Sequence, residues 1–271
     1  MKMIAVSTQM FDRDLLARPH LAALRDAGFG AVEVFAAPGH FAWEDAAYVA
    51  RIARDLRELG LAVFSVHAPW APGQDISAAD RAQRAASLQS VRRAVDALVA
   101  MDGQVLVLHP GATLTEPGRK AELLEIAAES TEGVAAYCRA RGVRVALENP
   151  PPYELGGDNA DMLALYRRLA GNDAIVACFD TGHAHVSAQG IGFLRDIPQE
   201  VVLVHISDNH GAEDEHLAPG EGTLPWARLW PLLRARGFDG CLMLELSGVS
   251  DTTATLARGV AWMREALAHI S

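Results

Sequence analysis

The sequence is poor in cysteine and lysine, and these shortages argue against several kinds of chemistry. The three cysteines, Cys138, Cys178 and Cys241, are odd in number and far apart, so they predict neither a disulfide framework nor a cysteine-type zinc site. The two lysines, Lys2 and Lys120, fall outside the positions expected for catalytic residues, which argues against Schiff-base chemistry on lysine. A reducing cytoplasm is the setting that this composition predicts.

Long apolar runs and an excess of positive charge are also missing. No run approaches the roughly 20 apolar residues that a membrane helix needs. The opening MKMIAVSTQMF is typical of a short strand rather than of a signal peptide, so we expect no membrane association. The formal net charge of −10 argues against a protein that binds mainly to the phosphate backbone of nucleic acids. Bound divalent ions would, however, reverse the local electrostatic field.

Short apolar runs alternate with helical patterns along the whole chain. Eight runs are typical of strands, namely MIAVS, AVEVF, LAVFSVH, QVLVLH, VRVALEN, AIVACFD, VVLVHIS and GCLMLEL. The helical patterns between them end at glycines such as Gly60, Gly142 and Gly237. This alternation predicts the α/β class and one domain over residues 1–271, a single (β/α)8 TIM barrel. A doubly wound open sheet is the alternative, but no GxGxxG follows the first strand.

Side chains of the metal-binding type stand at the ends of six consecutive strands. In chain order they are His67, His109, Glu148, Asp180 with His183 just beyond it, His205 with Asp214 and His216 in its loop, and Glu245. The C-terminal ends of barrel strands converge on one mouth, so these side chains should meet there. A single residue of this kind is more often a capping or hydrogen-bonding group, but that explanation does not extend well to six strands.

The accumulated negative charge predicts a bound metal ion. Several carboxylates cannot share a dry mouth without compensating positive charge, and no lysine or arginine stands at these strand ends. A divalent cation resolves this conflict. Carboxylate and imidazole ligands without cysteine suit zinc, manganese, iron(II) or cobalt, and suit calcium less well.

The motifs LENP, FDTGH, HISDN and LEL resemble those of the xylose-isomerase-like TIM barrel superfamily, or AP endonuclease family 2. This superfamily includes sugar isomerases, keto-sugar 3-epimerases and endonuclease IV, and the resemblance extends over nearly the whole chain. It implies that one metal ion is held from strands five to eight by Glu148, Asp180, His205 and Glu245. We take one ion as the expected number.

Endonuclease IV, one branch of this superfamily, carries a trinuclear zinc site with additional ligands. The resemblance places those ligands at His67, His109, His183, Asp214 and His216, so up to three ions are implied. One ion with three carboxylates leaves a net charge of about −1, which suits a neutral sugar. Three ions with four carboxylates leave about +2, which suits a phosphodiester.

Other stretches argue against DNA as the substrate. At the seventh strand, endonuclease IV enzymes carry a motif similar to HxNDSK. This chain has HISDNHG there and lacks the basic residue. The second loop, FAAPGHFAW, lacks the basic and amide side chains that read DNA there. Trp70 could stack on a base, but we favour it as the apolar wall of a sugar pocket. A small sugar-like molecule is therefore the favoured partner over nucleic acid.

We expect a metal-dependent isomerase or epimerase of a small sugar or keto-acid derivative. Glu148 and Glu245 would transfer a proton through a metal-bound enediolate, with other ligands holding the metal. The predicted substrate-binding residues are His67, Trp70 and His183. The alternatives are a trinuclear zinc phosphodiesterase or abasic-site endonuclease, and a barrel that binds metal or sugar without catalysis. Nothing in the sequence decides between a monomer and a homo-oligomer.

Overall fold

The computed structural model describes residues 2–187, 190–248 and 252–270 and contains a closed barrel of eight parallel strands. The strands are β1 (Met3–Ser7), β2 (Ala31–Phe35), β3 (Ala62–His67), β4 (Val105–Leu108), β5 (Arg144–Glu148), β6 (Ile175–Asp180), β7 (Val201–Ile206) and β8 (Cys241–Leu244). Neighbours in sequence are neighbours in the barrel, and β8 closes it by pairing with β1. The predicted α/β class and the (β/α)8 barrel are confirmed. A single domain over 1–271 stays a prediction.

Helices follow the strands and cover the barrel. They are α1 (Arg18–Asp26), α2 (Ala46–Leu59), α3 (Arg81–Ala100), α4 (Lys120–Arg139), α5 (Asn159–Arg168), α6 (Thr181–Val186), α7 (Trp226–Ala235) and α8 (Thr252–Ile270). The Asp45 side chain starts α2 by accepting hydrogen bonds from the Ala47 and Tyr48 amides. Gly60 ends that helix with a φ of 69°, which glycine adopts at little cost. None of the described helices has the length and apolarity to cross a membrane.

Successive side chains of each strand point to opposite faces of the barrel wall. The outward face packs against the helices through residues such as Val34, Leu147 and Leu244. The inward face carries mostly small apolar side chains, including Ala5, Ala31, Val105, Val107, Ala146, Val176, Cys178, Cys241 and Met243. The candidate ligands at the strand ends stand two residues further along the same face, as Glu148 does after Ala146. The strand period therefore aims them at the mouth.

Replacing Gly240 with alanine should destabilise the barrel where β8 begins. An added Cβ would lie 2.2 Å from the carbonyl oxygen of Val202 on the neighbouring strand, which cannot move without disturbing the sheet. We expect the free energy of unfolding in urea to fall by about 1–3 kcal/mol. The matched control is Gly133→Ala in α4, where no atom lies within 4 Å of the new Cβ. That variant should be more stable by up to about 1 kcal/mol, and equal stabilities would contradict the described packing of β8.

Candidate metal centre

The barrel mouth brings all nine predicted ligands together in three groups. The central group consists of Glu148, Asp180, His205 and Glu245. The first flanking group consists of His67, His109 and again Glu148. The second flanking group consists of His183, Asp214 and His216. Within each group the candidate ligand atoms all lie within 4.8 Å of one another, and Glu148 connects the central group to the first flanking group.

The central group is buried, and its carboxylates converge on one imidazole nitrogen. His205 Nδ1 lies 3.0 Å from Glu148 Oε1 and 3.1 Å from Glu245 Oε2. It also lies 3.8 Å from Asp180 Oδ2, an oxygen without a hydrogen-bond partner among the described residues. A buried carboxylate oxygen without a donor is costly, so these residues fit a divalent cation bound among them.

The first flanking group has a similar unsatisfied oxygen. His67 Nε2 and His109 Nε2 lie 3.4 Å and 3.3 Å from Glu148 Oε2. This oxygen nevertheless makes no hydrogen bond in the described part of the chain. Two ligand atoms on a tetrahedral zinc ion stand about 3.4 Å apart, given metal–ligand bonds of about 2.1 Å. The spacing therefore fits a cation between these atoms.

The second flanking group is built around one carboxylate oxygen. Asp214 Oδ2 lies 3.1 Å from His183 Nε2 and 3.0 Å from His216 Nε2. Asp214 Oδ1 has no hydrogen-bond partner among the described residues. The group therefore also has the donor types and an unsatisfied buried oxygen that a divalent ion requires.

Each of the five histidines is anchored through one ring nitrogen, which leaves the other for a metal ion. The anchors of Nδ1 are Ala68 O for His67 (3.0 Å), Glu154 Oε2 for His109 (2.7 Å), Asn149 O for His183 (2.9 Å) and Glu245 O for His216 (3.4 Å). His205 has the reverse orientation, because its Nε2 faces Glu33 Oε2 at 3.3 Å. Such outer partners fix the tautomer and the direction of metal-ligating histidines.

In the metal-free state the site groups balance one another's charge. Burial lowers the pKa of His109, but Glu154 and Glu148 outweigh burial and raise it to about 10. Burial raises the pKa of Asp180 to about 7, and Glu148 adds to this effect. Burial also raises the pKa of Glu245, but the site imidazoles outweigh it and lower the value to about 2. Protonated imidazoles thus supply the positive charge that a bound metal ion would replace.

Asp208 organises the loop that carries the second flanking group. Its carboxylate accepts hydrogen bonds from the amides of Gly220 (2.8 Å) and Leu224 (3.0 Å) and from the indole of Trp226 (3.1 Å). His216 has a left-handed backbone with a φ of 48°, which is uncommon and strained for a residue other than glycine. The glycine-rich and acidic stretch after β7 is therefore a fixed loop that presents ligands.

A cavity of about 490 Å³ opens at the mouth, a size typical of small-molecule sites. Its apolar walls include Phe35, Trp70 and Tyr153. The Trp70 indole N–H donates to Glu154 Oε1 at 3.2 Å, which fixes the ring. No lysine or arginine is among the described residues that line this cavity. The predicted substrate-binding residues, His67, Trp70 and His183, all line it, and their role stays a prediction.

The structure adds residues that no strand-end pattern indicates. The buried carboxylates Glu33 and Glu154 face ring nitrogens of His205 and His109. Asn149 pairs with the backbone of Asp180 through two hydrogen bonds, of 3.1 Å and 2.8 Å. The sequence carries a faint signal for each of them. Glu33 is a charged residue within the otherwise apolar run AVEVF, and the other two lie in the stiff stretch ENPPPYEL.

Cys178 also lies close to the central group. Its sulfur falls within 4.8 Å of candidate ligand atoms of Glu148 and His205. All three cysteines are free and buried. Burial raises the pKa of the Cys178 thiol well above its usual range, so in the metal-free protein the side chain is a neutral thiol beside the carboxylates.

Comparison of the chain with known proteins identifies its family. Residues 21–266 match the family model described as xylose isomerase-like TIM barrel. The chain is 26% identical over 204 residues to an uncharacterized protein of Methanocaldococcus jannaschii, covering 73% of this chain and 69% of the relative. It is 29% identical over 176 residues to fructoselysine 3-epimerase of Shigella flexneri, covering 62% and 61%. A crystal structure of a D-tagatose 3-epimerase-like protein is similar with a TM-score of 0.84 at 20% identity, covering 99% of this chain and 98% of that chain.

The fold and the three groups define a (β/α)8 barrel with a candidate metal centre at its mouth. The chain belongs to the xylose isomerase-like TIM barrel family, which confirms the resemblance of its strand-end motifs. At 20% identity, the likeness to the epimerase-like structure shows the fold alone.

Replacing His205 with asparagine should weaken the tightest divalent-ion site. It removes a candidate ligand of the central group, so the loss of affinity should exceed the roughly 10–100-fold that loss of an outer partner costs. Competition between the metal-free protein and a chelating dye for Co²⁺ measures the effect. The control is His216→Asn, which changes the second flanking group and should leave the tightest ion in place. Equal losses in the two variants would contradict the assignment of the central group.

Proposed function

We propose that this chain is a divalent-metal-dependent epimerase or isomerase of a small, uncharged sugar or keto-acid derivative, built as one domain. One observation carries the proposal. Glu148 on β5 and Glu245 after β8 both lie about 3 Å from the same nitrogen of His205, at 3.0 Å and 3.1 Å. Two carboxylates from different strands that meet at one candidate metal-binding point, under a cavity open to small molecules, suit the removal and return of a proton.

The relatives support this choice of chemistry. The chain belongs to a family with sugar-enzyme members, and one relative of 29% identity is named a fructoselysine 3-epimerase. A similar fold occurs in a D-tagatose 3-epimerase-like protein. A 3-epimerase inverts one carbon next to a carbonyl group, so it needs a base and an acid on opposite faces of that carbon.

The chain's own residues divide the work. Bound at the central group, a divalent ion would polarise the substrate carbonyl and stabilise the negative charge that develops beside it. One of Glu148 and Glu245 removes the proton from the neighbouring carbon, and the other returns a proton to the opposite face. Asp180 and His205 would hold the metal ion. His183 Nε2 orients a substrate hydroxyl. Because no lysine is among the described residues that line the cavity, proton transfer suits this site better than a lysine-assisted hydride shift.

The walls of the mouth favour an uncharged substrate. The cavity offers Phe35, Trp70 and Tyr153 as apolar surface and offers no lysine or arginine among its described residues. A phosphate group there would meet carboxylates without a cationic clamp. Trp70 forms the sugar-facing wall in this proposal. The three buried, unpaired cysteines support a reducing, cytoplasmic setting as part of it.

A second candidate function is favoured by the two flanking groups. Their four histidines all present Nε2 and are anchored through Nδ1, as metal ligands would be. With all three groups occupied, the positive charge would suit a phosphodiester, as in a trinuclear zinc phosphodiesterase or abasic-site endonuclease. Three ions per chain together with cleavage of bis(p-nitrophenyl) phosphate or of abasic DNA would establish this function instead.

Glu245→Gln should lower kcat by about 10²–10⁴-fold while part of the metal affinity remains, because the variant keeps the side-chain size but loses a base. A panel of free ketoses in D2O, followed by NMR, measures turnover as a new epimer that carries deuterium at the inverted carbon. Glu148→Gln should behave in the same way. The matched control is Glu265→Gln on the exposed face of α8, which should keep full activity. Retained turnover in Glu245→Gln would contradict the proton-transfer scheme, and a wild-type protein that binds sugar without turnover would be a binding barrel.

Trp70→Ala should raise KM about tenfold with little change in kcat, which corresponds to about 1.4 kcal/mol of binding free energy. The ring contacts the substrate equally before and during the reaction, so its loss weakens uniform binding. Steady-state kinetics on the best ketose of the panel measure both constants. Leu15→Ala, an exposed apolar change at a residue that does not line the cavity, is the control. An unchanged KM in Trp70→Ala would remove this residue from the pocket wall.

A further inference from the structure

A carboxylate lies deeper in the barrel than the central group. Glu33 is on the inward face of β2, fully buried, and pairs in register with Ser65 of β3. Its Oε2 accepts a hydrogen bond of 2.8 Å from the Ser65 hydroxyl and faces His205 Nε2 at 3.3 Å. Its Oε1 has no hydrogen-bond partner among the described residues. Ser65 and His205 are therefore the described partners of this carboxylate, and His205 is the one of the two that can carry a charge.

Burial among apolar side chains makes this carboxylate energetically unfavourable. Apart from Ser7 and Ser65, which pair in register with Glu33, the inward face of the barrel is mainly alanine, valine, leucine, cysteine and methionine. A carboxylate in such a layer costs several kcal/mol unless a partner compensates it, whereas an apolar side chain of similar volume would simply fill the space. Fold stability alone gives no reason for Glu33, so its contact with His205 is the feature to explain.

The ring of His205 is turned around relative to the other site histidines. Those four rings donate Nδ1–H to nearby oxygens and present Nε2. His205 presents Nδ1 to Glu148 and Glu245, so its Nε2 points down into the barrel. Backbone carbonyls inside the wall are committed to the sheet, and a side chain must supply the acceptor. Glu33 Oε2 is placed to do this.

We propose that Glu33 is a positioning residue that fixes the tautomer and the rotation of His205 for the metal ion of the central group. By accepting Nε2–H, it leaves the Nδ1 lone pair directed at the point where the three carboxylates meet. The inference rests on the proposed function in one respect, that the central group binds a metal ion. Glu33 itself touches neither the metal nor the substrate.

The direct test is the affinity of the metal-free protein for Co²⁺, measured by competition with a chelating dye. Glu33→Gln keeps the size of the side chain but removes its charge, and we expect about 10–100-fold weaker binding. Ser65→Ala removes the second donor to Glu33 and leaves the His205 contact, so its effect should be smaller. Thermal unfolding of the metal-free variants identifies any loss of folded protein. Unchanged affinity in folded Glu33→Gln would overturn the inference.

A double-mutant cycle separates positioning from a general structural effect. If Glu33 acts through His205, Glu33→Gln should cause no further loss of affinity in a His205→Asn background. Glu154→Gln is the matched control, because this buried carboxylate stands behind His109 of the first flanking group and should leave the tightest ion in place in either background. Equal losses from Glu33→Gln in both backgrounds would show that Glu33 only supports the fold.

The zinc-loaded wild-type protein offers a test that needs no variant. Long-range proton–nitrogen NMR on protein labelled at histidine should find the His205 proton on Nε2 and the metal on Nδ1. A proton on Nδ1 would overturn the inference. A wild-type protein that binds no divalent ion would overturn the proposed function itself. Wild-type binding that Glu33→Gln leaves unchanged would overturn the positioning role alone.

Discussion

The burial of three carboxylates around one point is the constraint on which the rest of this structure depends. Glu148, Asp180 and Glu245 come from three strands of a closed barrel, so the sheet holds them together. Without compensating positive charge they would destabilise the fold that positions them. Imidazoles supply part of that charge in the metal-free protein, and a divalent cation would offset two of the three negative charges. The histidine anchors and the Asp208 loop hold the ligand atoms at separations that suit such a cation.

The chemistry follows from what surrounds this point. Above it, apolar walls and a cavity with no lysine or arginine among its described lining residues suit a neutral polyol better than a phosphate ester. Below it, the inward face of the barrel is mainly apolar, and the Glu33 carboxylate lies 3.3 Å from Nε2 of His205 as an acceptor for that ring nitrogen. To the side, the flanking groups provide two further places where a cation fits. The same barrel mouth thus supports sugar chemistry with one ion and phosphodiester chemistry with three.

The sequence predicted the barrel and the meeting of the ligands, because both depend on local periods. The apolar runs AVEVF and VVLVHI predict strands without any tertiary information. In a parallel barrel, the residues at the C-terminal strand ends all lie at the same mouth. The ring orientation of His205 could not be predicted in this way. It depends on Glu33, which lies 172 positions away in the chain and on a strand that is not adjacent to β7. The role of Glu154 could not be predicted for the same reason, since its partners Trp70 and His109 belong to other loops.

The most direct measurement is anomalous X-ray scattering at the absorption edge of the bound metal, on crystals of protein purified without chelator. We expect one strong peak at the central group, about 2.0–2.2 Å from ligand atoms of Glu148, Asp180, His205 and Glu245. Peaks of equal strength at all three groups would favour the phosphodiesterase. No peak at the central group, after metal has been added back, would contradict the account.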